Sequence, residues 1–211
     1  MKRSPGPRRS HDLRACTALL LVAGCSSEPP PTELPPVDCE PAAPTVAWKR
    51  VDAFAAEVGR ALELGPDELC VELGTAACVD VHRVALGGTS PLEKALYRPF
   101  AEPAATTPLA IERLVHSACV TRVDRDRDGD PAVFRDLPLG DDPLEGVGPG
   151  SPFAKQAASL GSRFFGRALS PDELLALEPL GGPIGGTPPS ARDAAVLLCF
   201  TLGTSSELAF F

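Results

Sequence analysis

The sequence predicts a mainly α-helical fold: an irregular, loop-rich helical bundle with a small β element, assisted by disulfides. Three observations predict it. Apolar residues recur at three- and four-residue spacing over several windows. Ser or Thr followed by Pro marks helix starts at Thr107-Pro108, Ser151-Pro152 and Ser170-Pro171. The 24 Pro and 19 Gly among 211 residues keep helices short and connections long, and the seven cysteines offer cross-links to such a chain.

The elements follow in order. Within 45–64, Val51, Phe54, Ala55, Val58, Ala61 and Leu62 form one helical stripe, and Gly65-Pro66 stops it. A short helix is expected from Pro66 to Leu73, ended by Gly74. Val79, Val81, Val84 and Leu86 alternate with polar side chains, so the β element is expected at Val79–Leu86, closed by Gly87-Gly88. Thr107 reads as a cap with Pro108 in the first turn of a helix to about Val123, striped by Ile111, Leu114, Val115 and Ala118. Phe153, Ala157, Leu160 and Phe164 share a face after Ser151-Pro152. Ser170 and Glu173 have the spacing of a capping box. Ser190 opens a last helix carrying Val196, Leu197, Cys199, Phe200 and Leu208. Residues 124–150 and 179–189 read as loops, and the Gly-rich pieces at 86–88 and 181–186 as turns, since they lack the strand, helix and Lys of a phosphate cradle.

One acidic run has the pattern of a metal site. Asp124, Asp126 and Asp128, with Gly129 and then Asp130, match the first half of an EF-hand calcium loop, in which alternate carboxylates supply oxygen ligands. The second half departs from it: Pro131 interrupts, and Arg135 stands where a bidentate Glu belongs. A Ca²⁺ site on Asp124, Asp126, Asp128 and Asp130 is one expectation. A solvated acidic loop, partly neutralised by its own arginines, is the other. His82 and His116 lie in no zinc or haem motif, and there is no Cys-x-x-Cys-His, so covalent haem is not expected. Thr204-Ser205-Ser206-Glu207 reads as a cap or turn.

The first 24 residues have another character. Lys2, Arg3, Arg8, Arg9 and Arg14 face one acid, Asp12, and an apolar run of about ten residues follows, against the ~20 that span a bilayer. It closes on Leu21-Val22-Ala23-Gly24-Cys25, which resembles a bacterial lipoprotein signal. The resemblance implies that Cys25 becomes the lipidated first residue, with the bilayer as partner and the cell envelope as location. Residues 1–24 are then the signal, 25–44 a lipidated tether rich in Pro, and 45–211 the helical domain. Setting the signal aside leaves 15 Lys+Arg against 27 Asp+Glu, a net charge of −12, which argues against nucleic acid as a partner and against electrostatic adhesion to anionic lipid. Outside the cytosol disulfides persist. Cys39, in the tether, is expected unpaired. Cys70, Cys78, Cys119 and Cys199 are the candidates for bridges, in an order the sequence leaves open.

The stretch Arg163-Phe164-Phe165-Gly166-Arg167-Ala168-Leu169-Ser170-Pro171-Asp172-Glu173-Leu174 and the ending Leu202–Phe211 are similar to the small helical domain of large bacterial envelope proteins associated with c-type cytochromes. The resemblance implies a helical module beside a redox or polymer-degrading partner and brings no catalytic residue with it. The expected function is that of an anchored envelope lipoprotein acting as a binding, scaffold or accessory subunit, with an envelope protein as partner. The alternatives are an enzyme with a site assembled from dispersed loop residues, including His82 and His116, and a calcium-ordered structural module.

Overall fold

A helix turns once every 3.6 residues, so Val51, Phe54, Val58 and Leu62 share one side, and that is the side the fold buries. The computed structural model describes residues 47–183 and 185–211. The signal-like segment, Cys25 and Cys39 lie outside them. Helix α1 spans Val51–Leu62 and ends where Glu63 turns left-handed. The Pro66–Leu73 helix expected next is only a 3-10 turn, Pro66–Glu68. Strands β1 (Val71–Glu72) and β2 (Ala76–Ala77) follow as an antiparallel hairpin, with Val71 opposite Ala77 and Glu72 opposite Ala76. Disulfide Cys70–Cys78 closes the hairpin at its base.

The β element therefore lies earlier than the alternation predicted. Residues Cys78–Val81 form helix α2, and further turns continue the path, with His82 N donating to Cys78 O at 2.8 Å and Leu86 N to His82 O at 2.9 Å. Val79–Leu86 fails as a strand because β1 and β2 pair with each other, and backbone groups without a ladder partner satisfy themselves locally. A one-turn helix, α3 (Pro91–Lys94), sits in a loop closed by a bridge between Ser90 and Leu96.

Helix α4 runs over Thr107–Asp128, about a turn and a half beyond its predicted end. Thr107 is not its cap. Its hydroxyl donates to Ala85 O at 2.6 Å and accepts from Ala104 N at 2.9 Å, tying the loop ahead of α4 to the turns after α2. Helices α5 (Pro152–Phe165), α6 (Pro171–Leu177), α7 (Ala191–Gly203) and α8 (Ser206–Ala209) complete the chain. Ser151, Ser170, Ser190 and Ser205 each accept a backbone N–H as N-cap, and Ser170 and Glu173 form the reciprocal box. The capping roles predicted for Ser151, Ser170, Ser190 and the 204–207 segment are thus observed.

The core is mainly α. Helix α4 packs chiefly on α7, while α1 lies against α4 and α5, and α5 against α7. Leu114, Val115 and Ala118 meet a layer with Ala194, Ala195 and Leu198, all without measurable exposure. Each large apolar side chain so buried contributes on the order of 1.5–3 kcal/mol. Disulfide Cys119–Cys199 joins α4 to α7 through this layer. The four bridge candidates are all used, as 70–78 and 119–199. Loop 129–137 is fixed without secondary structure: Phe134 is fully buried, and Gln156, also fully buried, donates to Val133 O and accepts from Asp136 N. Trp48 and Phe210 bridge the two ends of the domain. Among the described residues no helix is long and apolar enough to cross a membrane.

Candidate functional site

The carboxylates expected to bind a cation come apart. Helix α4 carries Asp124, Asp126 and Asp128, so the predicted loop begins only at Gly129. Successive members of this series lie about 200° apart around a helix, and Asp126 faces away from the other two. Ion pairs at helical spacing, Arg122–Asp126 and Arg127–Asp124, favour continued helix until Gly129 and Pro131 end it. Asp126 is buried and accepts from Ala132, Val133 and Phe134 N at 2.8–2.9 Å as well as from Arg122. Burial alone would raise its pKa; the three backbone donors and Arg122 outweigh that and hold it below the usual carboxylate value. Asp124 is held low by a bidentate pair with Arg192, at 2.8 and 3.1 Å. Asp128 and Asp130 are exposed. Asp126 staples α4 to its following loop and Asp124 staples it to α7; among the described residues the four carboxylates do not converge on one point.

Charged and apolar groups do converge around the hairpin. Glu72, which sequence reasoning missed, accepts from His82 Nε2 at 2.7 Å and pairs with Arg113 Nη1 at 3.3 Å. The hydrogen bond from His82 lowers the Glu72 pKa, partial burial opposes it, and the charges of His82 and Arg113 add to the lowering. Two clefts adjoin here. One, of about 780 Å³, is lined by Val71, Glu72, Leu73, His116 and Phe200; the other, of about 620 Å³, by Val81, His82, Lys94 and Thr106. Leu109 and Arg113 belong to both. Neither histidine hydrogen-bonds a hydroxyl or thiol among the described residues, and His116 instead meets Phe200 edge-on at 6.1 Å. Nucleophilic catalysis needs that missing neighbour. The ligand atoms of Cys70, Cys78 and Glu72 also lie close together, but both sulfurs are spent in the disulfide.

The hairpin tip is the most exposed apolar point of this region. Leu73 has φ +53° and is 95% exposed, with Gly74 also left-handed at φ +79°. Val71 and Leu109 are more than half exposed beside it. The signal that could have located the hairpin is Gly74 lying midway between two cysteines eight residues apart.

No family model, curated protein or solved structure matches this chain. The residues and their geometry are therefore what a functional reading rests on.

Proposed function

We propose that this chain is a lipid-anchored bacterial envelope lipoprotein whose disulfide-stapled helical domain holds a protein partner at the face of the Cys70–Cys78 hairpin. Leu73 carries the binding half of the reading. Holding a leucine in the left-handed region costs about 1–2 kcal/mol, and here the residue returns no burial to the fold. The disulfide at the hairpin base keeps it pointed outward, beside exposed Val71 and Leu109 over a cleft of about 780 Å³. Such a side chain gains only when a partner covers it. The anchor half rests on Leu21–Cys25 and on bridges of a kind that persist outside the cytosol. The resemblance at Arg163–Leu174 favours a partner from a cytochrome-containing complex, with this chain as its accessory subunit.

Two measurements test it. The mass of the mature N-terminus from native cells is expected to show a lipidated Cys25; an unmodified or different first residue removes the anchor. Affinity capture from solubilised envelope is expected to recover one defined partner with the parent chain and to lose it with Leu73→Ser at unchanged melting temperature. Equal recovery by both forms removes the hairpin face.

A further inference from the structure

Two cysteines, a carboxylate and an imidazole meet at the base of the hairpin, and three local spacings bring them there. Residues two apart on a strand share a face, so Cys70, just ahead of β1, and Glu72 lie on one side of it, with exposed Val71 on the other. The pairing of Val71 with Ala77 sets Cys70 across from Cys78, whose N donates to Cys70 O at 3.0 Å. Residues four apart on a helix are neighbours, so His82 follows Cys78 along one side of α2, its N donating to Cys78 O. His82 Nε2 thereby reaches Glu72 Oε1 at 2.7 Å. The sulfurs of Cys70 and Cys78 and a Glu72 oxygen all lie within 4.8 Å of one another. Both cysteines are buried, yet Cys70 and Glu72 line the cleft of about 780 Å³. Cys119 and Cys199 have no measurable exposure. A reductant from solvent therefore reaches the short bridge before the long one.

We propose that the hairpin base is a zinc site kept closed by its own disulfide: once the Cys70–Cys78 bond is reduced, Cys70, Cys78 and Glu72 bind one Zn²⁺. The reductant is a dithiol. One of its thiolates attacks a bridge sulfur, the S–S bond breaks, and the dithiol closes to its own disulfide, passing two electrons and two protons to the cysteines. Binding of Zn²⁺ then releases the two thiol protons to water. The backbone pairs of the hairpin remain and hold the cysteines opposite each other. Tetrahedral Zn²⁺ with Zn–S of about 2.3 Å sets its thiolates about 3.8 Å apart. Side-chain rotation supplies that spacing, since the Cα atoms are already 5.3 Å apart. Two thiolates and one carboxylate leave the occupied site one charge negative, and Arg113, 3.3 Å from Glu72, offsets it. His82 orients the Glu72 carboxylate, as hydrogen-bond partners of metal ligands do. The fourth position goes to water from the cleft, and the two sulfurs favour Zn²⁺ over Ca²⁺ or Mg²⁺. The metal takes over the closing of the hairpin, so Leu73 stays at its tip in both states. The site stands whether or not Cys25 carries lipid.

The test uses the chain from residue 25 onward with Cys25→Ser and Cys39→Ser, whose only cysteines are the four of the domain. It is reduced briefly with dithiothreitol and desalted without oxygen, and thiol titration counts the bridges opened. Co²⁺ is then added, followed by Zn²⁺. The reduced chain is expected to take up one Co²⁺, with thiolate-to-cobalt charge transfer and the visible bands of a tetrahedral ion, and to exchange it for Zn²⁺. The oxidised chain is expected to show neither. Glu72→Gln and His82→Ala are each expected to weaken Zn²⁺ binding at least tenfold, the loss that removing a group orienting a metal ligand brings. These variants decide the matter even if both bridges open, because Glu72 and His82 stand beside one bridge alone. If the reduced chain loses its far-UV signal, Zn²⁺ is expected to restore it. Absence of the thiolate–cobalt absorption, equal uptake by the oxidised chain, unchanged affinity in Glu72→Gln, or an unfolded reduced chain that Zn²⁺ does not restore overturns the proposal. Unchanged affinity in His82→Ala removes the positioning role of His82.

Discussion

Removing the two disulfides one at a time separates their contributions. The Cys119–Cys199 bridge spans 80 residues of sequence and the Cys70–Cys78 bridge spans 8. In the chain-entropy account a cross-link restricts the unfolded ensemble more as its loop lengthens, which gives about 4.5 kcal/mol for the long bridge and about 2.5 kcal/mol for the short one. Packing acts in the same direction. Cys119 and Cys199 are both wholly buried between α4 and α7, the most closely associated helices, so alanines there also leave a gap in the core. At roughly 2–4 °C per kcal/mol for a domain of this size, Cys119→Ala with Cys199→Ala should lower the melting temperature by about 10–15 °C, and Cys70→Ala with Cys78→Ala by about half that. The assay is thermal unfolding followed by circular dichroism, with thiol titration of the denatured, unreduced chain from residue 25 onward carrying Cys25→Ser. One free thiol, that of Cys39, is expected. An equal or larger loss from opening the short bridge would refute the entropic ordering, and more than one titratable thiol would refute the pairing.

Three further outcomes follow from the same geometry. Asp126→Asn should cost about 3–5 kcal/mol, because it strips the charge from a buried partner of Arg122. Since the folded pKa of Asp126 is depressed, its contribution is complete above the unfolded value near 3.9 and is lost as pH falls through the folded one. An acid titration of the melting temperature should accordingly be steeper below about pH 4 in the parent than in Asp126→Asn. Gly203→Ala should destabilise by about 1–3 kcal/mol despite alanine's better helix propensity, because its Cβ would lie 2.5 Å from Val115 Cγ1 at the α4–α7 contact; urea unfolding reads this. Millimolar Ca²⁺ after chelation should leave the melting temperature unchanged, since the 124–130 carboxylates are committed to different partners or face solvent; a rise would show that a site forms there after all.

Local periodicity and capping were legible in the chain. The α1 stripe, the Phe153–Phe164 face and the starts at Ser151, Ser170 and Ser190 depend on side chains a few residues apart, and those contacts form wherever the helix forms. The hairpin was less legible. Its strands have two residues each, too few for an alternation to register, while Val79–Leu86 alternates by chance and coils because nothing offers it a ladder. The acidic run misled for a related reason. Its spacing suits calcium only if the backbone opens into a loop, and the ion pairs of α4 keep it helical to Asp128.

The sequence by itself determined the helical class and the helix starts at Ser151, Ser170 and Ser190, because each depends on neighbours along the chain. Tertiary structure decided the pairing of those cysteines, the burial of Asp126 beneath its loop, and the meeting of Glu72, His82 and Arg113 beside an outward leucine. Those arrangements join residues separated by as many as 80 positions, and only the packing of α1, α4, α5 and α7 into one core sets the distances between them.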